Sequence, residues 1–525
     1  MPGVIYSKQV EFTAHGPVVM HVLSAPKPVG LYGLKPILSN GAILGRERVT
    51  AMQKRVSGEA TVAGINGDLF SLADGHPTGG LIRGGVLDSA PVGTRSSIGI
   101  DTDGVLHVER VQLAGTWQGS AQRRILGINE APRANRTTLY TPAWGARTPP
   151  ENGGAQAILQ PFPAAATNTP LQTTAVQYVS GGNQVIPPDG AVLVARGAQA
   201  GFLANEAPLG GKITILLSLT PKWTNVQEAL GGGPMVVRGG RPVFRSQEGF
   251  ASTQLTSRQP RSGVGQTADG RIILVAVDGR QPGYSTGLTN FELALMMMRL
   301  GCVTASALDG GGSATMAFDG KLLNRPADPT GERAVAEALT FFYYGVYAPT
   351  PPSRVVSPNA DGVDDAQALS YKLVRQSTVT ATMNGPGGVV VPLDSGSHGP
   401  GVYRFTWDGK DQPEGAWTFR VVADDDLGRS STADRQFSLN NTLGFVTART
   451  SGKRVIAGFR LSRPARVAVR IETPGGALVR ALPARSFPAG DGTVSWTGRR
   501  GRYVVSVTAT NGIGSVELTA AARLR

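Results

Sequence analysis

The chain holds a single cysteine, Cys302, among 525 residues. An internal disulfide framework is therefore impossible, and so is a cysteine zinc cluster. Five histidines (His15, His21, His76, His107, His398) are scattered and form no HExxH pair, so a histidine-dominated metal site is not expected. No apolar run nears the roughly 18 residues that a membrane-spanning helix needs. The longest, Ile272–Val277 and Leu293–Met298, have the lengths of a buried strand and a helix core. Charged residues make up 17% against 41% hydrophobic, which excludes a highly charged disordered chain. The opening Met1-Pro2-Gly3-Val4 lacks the basic and apolar regions of a signal peptide. The expectation is a cytosolic protein or one whose leader has been removed.

What abounds is glycine and proline, 70 and 36 residues, the punctuation of short strands and tight turns. At about 150 residues per domain the length implies three or four folding units. The proline-dense segment 347–353 reads as an extended linker, setting off a first domain, 1–346. That domain reads as α+β with more strand than helix. Beyond the linker the chain repeats itself. Phe405-Thr-Trp407-Asp-Gly409 leads into Trp417–Ala423, and Val494-Ser-Trp496-Thr-Gly498 leads into Tyr503–Ala509. A W-x-G turn, an alternating strand and a glycine turn, twice over, imply two all-β modules, 354–440 and 441–525, of immunoglobulin-like sandwich size. They resemble the immunoglobulin-like domain of flagellar-hook-capping proteins. The entrance Ser357–Asp365 is similar to the SPNGDGxND opening of such modules. Its Asn and Asp oxygens suit Ca²⁺, but Ser370 stands where an EF-hand needs its twelfth-position glutamate, so an Asx-turn is the favoured reading.

The net charge is +14, from 51 Lys and Arg against 37 Asp and Glu. Most of the excess sits in residues 441–525, where 14 cations, 13 of them arginine, face three acids for a net +11. Such a balance points to nucleic acid or an anionic polymer. No helix-turn-helix, RRM or KH signature appears, so no nucleic-acid partner is expected. The last module reads as a dock for an anionic polymer, against the plain alternative of a solvated arginine-rich surface.

The chemistry concentrates in a strand–helix–strand stretch. Arg271–Val277 reads as a buried strand ending in Asp278-Gly279-Arg280. Thr289-Asn-Phe-Glu292 is a capping box ahead of the apolar run Leu293–Leu300, and Met296–Met298 is helix core. Cys302–Leu308 reads as a second strand, ending in Asp309-Gly-Gly-Gly-Ser313. If these strands are parallel neighbours, about 4.8 Å apart, Asp278 and Asp309 share one sheet edge and one cleft. The alternative is two ordinary Asp-Gly turns. Gly310, Gly311 and Gly312 let backbone N–H groups approach an anion, although Thr315 and Leu322 exclude a Walker A loop. Arg261 and Arg333 are candidate phosphate forks, Gly231-Gly-Gly-Pro-Met235 is a second place of close backbone approach, and Asn66-Gly67 is first a turn signal.

Taken in order, Asn66-Gly-Asp-Leu-Phe70, Gly231–Val236, Pro260-Arg-Ser-Gly-Val-Gly265, Val277-Asp-Gly-Arg280, Glu292-Leu-Ala294, Leu308-Asp-Gly-Gly-Gly-Ser313 and Arg333 resemble the phosphodiester glycosidase family. The motif core is about 60–345, with an insertion at about 109–209. The departures are Leu69 for an aromatic, Ser262 for Thr and Cys302 for a small residue. The resemblance implies hydrolysis of a sugar-1-phosphodiester in a phosphorylated glycan or anionic wall polymer, with release of the sugar. Asp278 and Asp309 are then the carboxylate pair, with Asp68 a third candidate and Glu292 carried beside its capping role. Arg261, Arg280 and Arg333 would hold the phosphodiester, and Asn66, Ser313 and the 310–312 amides the sugar or phosphate. Ca²⁺ or Mg²⁺ is the cofactor that hard carboxylate ligands would admit. The alternative is a non-catalytic binding or adhesion protein. Both place it outside the cell or at its surface.

Overall fold

The computed structural model describes residues 1–150, 154–244 and 246–525. It divides into two compact units, Gly3–Tyr344 and Gly345–Arg525.

The first unit is strand-rich α+β. One sheet orders its strands Ile5–Thr13, Gly16–Ala25, Ile272–Val277, Arg261–Thr267, Cys302–Ala307, Met235–Arg238 and Arg241–Pro242. Every neighbour pair in it is antiparallel. Ile272–Val277 is buried at all six positions because both faces are covered. Ile272, Leu274 and Ala276 enter the main core, while Ile273, Val275 and Val277 meet Leu293, Ala294, Met296 and Met297 of the helix Asn290–Arg299. That helix starts as its capping box requires. Thr289 Oγ1 accepts from the Glu292 N–H and Glu292 Oε2 accepts from the Thr289 N–H. It stops at Gly301, whose φ of 86° suits glycine.

The helix is indeed the crossover between two strands that run the same way, but they are not neighbours. Arg261–Thr267 lies between them, antiparallel to both. The expected single strand spacing is therefore doubled, to about 10 Å.

A second antiparallel sheet, ordered Lys321–Leu322, Met316–Phe318, Thr61–Asn66, Glu337–Tyr343 and Tyr32–Leu38, packs Ala63, Ile65, Leu339 and Phe341 into the same core. Its other face is covered by the helix Val49–Val56. The described residues of 112–220, overlapping the insertion expected at about 109–209, form an eight-stranded sheet from Gln112–Gln118 to Lys212–Thr220 with a core around Trp117, Leu193 and Ile215.

The second unit is two β-sandwiches. The first pairs a five-stranded sheet with Gln367–Leu373 and Gly401–Trp407, and the second pairs sheets of three and four strands. The repeated W-x-G turns place equivalent aromatics. Trp407 packs on Trp417 with ring centroids 4.8 Å apart, and Trp496 on Tyr503 at 5.1 Å. Segment 347–353 is no free spacer. Tyr347 pairs with Lys372, Ala348 is fully buried in the first sandwich, and Arg435 Nε donates to the Ala348 carbonyl. The Ser357–Asp365 loop spends its oxygens on turns: Asp365 Oδ1 accepts from the Asn359 and Ala360 N–H groups and Asn359 Oδ1 from the Asp361 N–H. These are the contacts of an Asx-turn.

Candidate active site

Two strand ends, from two different sheets of the first unit, meet here. Strand Thr61–Asn66 ends in Asn66-Gly67-Asp68, and Cys302–Ala307 ends in Leu308-Asp309. The Asp309 N–H donates to the Gly67 carbonyl at 3.1 Å, and Asn66 Nδ2 to the Asp309 carbonyl at 2.7 Å. Asn66 Oδ1 accepts from Ser262 Oγ at 2.6 Å and from the Thr315 N–H at 3.2 Å. Asn66 is fully buried and its amide is spent inside the protein, so it positions Asp309; the expected contact with sugar or phosphate is not one it can make.

Asp309 faces a cleft of about 180 Å³ whose walls include Arg261, Arg280, Arg333, Asn290, Phe250 and the glycine turn 310–312. The three glycines are forced by crowding. A Cβ on Gly310 would come within 2.8 Å of the Pro260 carbonyl, one on Gly312 would strike the Arg333 guanidinium, and Gly311 has a φ of 61°. Burial pushes the Asp309 carboxyl up to about 6. The Ser313 hydroxyl pulls it down, the Asp68 charge raises it again, and Arg333 and the Gly310 N–H oppose.

The cleft is cationic. Arg261 is held rigid by the carbonyls of Leu288, Gln254 and Ser257 at 2.8–2.9 Å. Arg280 Nη2 donates to Gln259 Oε1 at 2.7 Å. Both arginines thus spend the hydrogen bonds they make on neutral oxygens, and among the described residues only Arg333 of the three has a carboxylate partner, Asp328 at 2.8 Å. Burial, then the neighbouring Arg280 charge, lowers Arg261 to about 10. Two like charges pressed together beside one carboxylate describe a seat for an anion.

Asp68 lies behind Asp309. It is 2% exposed and held by a two-pronged ion pair, Arg95 Nη1 to Oδ1 at 3.2 Å and Nη2 to Oδ2 at 3.0 Å. Gly79 and Gly231 leave the slot it fills, since a Cβ on either would strike its carboxylate. This gives the first glycine of the 231–233 run its reason. Beneath it sits Glu337, 1% exposed, whose Oε1 accepts from the Asp68 N–H at 3.2 Å. Burial, then the Asp68 charge, pushes Glu337 up to about 8, in favour of its neutral acid form.

Two expected members stand elsewhere. Asp278 is at the same sheet edge but does not line the cleft. Its Oδ2 accepts from His21 Nε2 at 3.1 Å and Tyr284 Oη at 3.0 Å, and its Oδ1 from Asn324 Nδ2 and the Arg325 N–H, both at 3.0 Å. Four donors and 1% exposure leave it nothing to offer a substrate. The carboxylate whose charge reaches Asp309 is Asp68; the Asp278–Asp309 pairing is thereby corrected. Glu292 is consumed by its capping box and an ion pair with Arg258. Ser313 is buried beside Asp309.

Arg95 and Glu337 carry no motif. The one sequence signal for Glu337 is a lone acid inside the apolar run Val335–Phe342. The donor set does not suit Ca²⁺ or Mg²⁺: Asp309 is the one carboxylate lining the cleft, Asp68 is taken by Arg95, and arginines crowd the rest. Among the described residues no three His, Cys, Asp or Glu gather into a metal-binding group.

The site is thus a cleft in a strand-rich α+β domain that sets one carboxylate against three arginines and a glycine turn. Residues 164–342 match the model of the phosphodiester glycosidase family. That span holds Arg261, Arg280, Asp309 and Arg333, begins inside the expected insertion, and excludes Asp68. The bovine N-acetylglucosamine-1-phosphodiester alpha-N-acetylglucosaminidase is 37% identical over 68 residues, 13% of this chain and 12% of that protein. The SPbeta prophage-derived uncharacterized protein YomE of Bacillus subtilis is 35% identical over 111 residues, 21% of this chain and 17% of its own length. The chain thus spans under a fifth of either curated relative. A hypothetical protein from Synechocystis superposes with a TM-score of 0.54 at 25% identity, over 65% of this chain and 62% of that one.

Proposed function

We propose that the first unit hydrolyses a sugar-1-phosphodiester in an extracellular glycan or wall polymer and releases the sugar. The observation that carries this reading is the cleft itself: Asp309, raised to about 6 by burial, faces two arginines that, among the described residues, no carboxylate meets by hydrogen bonding. The family matched by residues 164–342 supports the same reaction class. Arg261, Arg280 and the Gly312 N–H would take the phosphodiester oxygens; the Gly311 N–H is spent on the Pro260 carbonyl and the Gly310 N–H on Asp309, so the glycine turn does not offer all three of the expected amides. Asn290 Oδ1, buried and without a partner among the described residues, would accept from a sugar hydroxyl.

The bond from C1 to the bridging oxygen breaks, and its electron pair leaves on the phosphate. A water oxygen bonds to C1, and Asp309 in its ionised form takes the proton of that water. The products are the free sugar and a phosphomonoester. Such a leaving group needs little protonation, so stabilising its charge matters more than a strong general acid. Asp68, locked to Arg95, acts through its charge on Asp309.

The test is to incubate the protein with a panel of sugar-1-phosphodiesters and identify the products, with and without EDTA. Free sugar plus phosphomonoester, unchanged by chelator, is expected. Tight retention of the compounds without turnover would favour the non-catalytic binding protein.

A further inference from the structure

We propose that the last sandwich carries its own binding site for a phosphate-bearing glycan strand, on the outer face of the sheet formed by Leu443–Ser451, Arg454–Leu461 and Gly490–Thr497. The kind of anion named rests on the reaction proposed above; the site rests on this sheet alone.

Val455, Ala457, Phe459 and Leu461 point into the core. Alternation therefore sends Ile456, Gly458 and Arg460 outward. Register places Thr447 and Thr493 on either side of Gly458, Arg449 beside Ile456, and Asp491 opposite Arg460. With no side chain at Gly458 the face is hollow, a groove of about 390 Å³ with Arg449, Arg460 and Phe445 in its walls.

Phe445 marks the groove as more than a gap. It sits in a bulge of its strand with φ 54°, a conformation few non-glycine residues adopt and one that is costly for a bulky side chain. Its N–H is fixed by Asp361 Oδ2 at 2.7 Å. The ring stays 44% exposed, with the Arg460 guanidinium 5.4 Å from its centre. Backbone strain and an exposed ring both work against folding, and neither adds to the core. They fit a platform on which the apolar face of a sugar ring stacks, while the Arg449 fork takes phosphate oxygens and Arg460, paired with Asp491 at 2.8 Å, braces the ring. Charge complementarity selects the occupant: residues 441–525 carry 14 cations against three acids.

The probe is immobilised poly(glycerol phosphate) bearing N-acetylglucosamine, with dextran and double-stranded DNA as controls, each titrated with the full chain. The parent protein is expected to bind the substituted polymer in preference to both controls. Phe445→Ala combined with Arg449→Glu should weaken that binding about tenfold or more, while turnover of a small soluble sugar-1-phosphodiester is unchanged. Asp309→Asn should keep the binding in full, so loss of hydrolysis and loss of docking are read separately. Equal binding by the Phe445/Arg449 variant, no binding by the parent, or DNA held as tightly as the glycan polymer would each overturn the proposal.

Discussion

Asp278 and Asp309 occupy equivalent places: each follows a strand that flanks Arg261–Thr267, and both strands run toward the same edge. Their surroundings are opposite. Asp278 receives four hydrogen bonds and is sealed from solvent, whereas Asp309 looks into an arginine-lined cleft with its carboxyl held up by burial. A buried carboxylate with a full set of donors is a structural knot, and one left poorly compensated at a cleft is available for chemistry. Equivalent topology thus marks a sheet edge, and the hydrogen-bond inventory decides which residue on it reacts.

Substitution at each aspartate breaks the comparison most sharply. Asp309→Asn should cut sugar release about 10³-fold, with the circular dichroism spectrum unaltered. Turnover close to that of the parent would remove Asp309 from the reaction. A smaller effect is expected from acid. With Asp309 acting ionised, kcat/KM should rise through pH 6 to a plateau and be about tenfold lower at pH 5, matching the raised carboxyl. A profile that instead falls above pH 6 would make Asp309 the general acid.

Asp278→Asn should do the reverse of Asp309→Asn. An amide nitrogen cannot accept, so two of the four donors around it lose their partner, at about 3 kcal/mol of stability in all. Denaturant unfolding should show that loss, while the folded fraction keeps kcat within about threefold. A variant as stable as the parent but catalytically dead would return Asp278 to the site.

Much of this frame was legible in the sequence. The capping box at Thr289–Glu292, the strand at Ile272–Val277 and the glycine turn after Asp309 are local features, and local chemistry dictates them. The tandem sandwiches were legible because each repeats its own W-x-G turn. What escaped is non-local. Arg261–Thr267 precedes both parallel strands in the chain yet inserts between them. Arg95 meets Asp68 across 27 positions, and no motif marks it. The proline-rich segment 347–353 forms no helix, as its composition dictates, but composition cannot tell that Ala348 is buried.

Glu337 offers the finest test of the contrast between satisfied and unsatisfied acids, because it is buried like Asp278 and poorly compensated like Asp309. Its Oε2 has no partner among the described residues. A carboxyl raised from 4.5 to about 8 on folding lends stability that is complete below about pH 4.5 and lost as pH rises through about 8. Over that window the loss runs at about 1.4 kcal/mol per pH unit. Glu337→Gln keeps the shape and an acceptor for the Asp68 N–H but cannot ionise, so this slope should vanish. Thermal unfolding of the first unit at pH 5 and pH 8 reads it directly: the variant should match the parent at pH 5 and melt higher at pH 8. Hydrolysis at pH 7 should stay within about threefold, since Glu337 touches the backbone of Asp68 and not the cleft. Parallel pH dependence in the two proteins would show that Glu337 ionises freely and that the acids behind Asp309 are solvated.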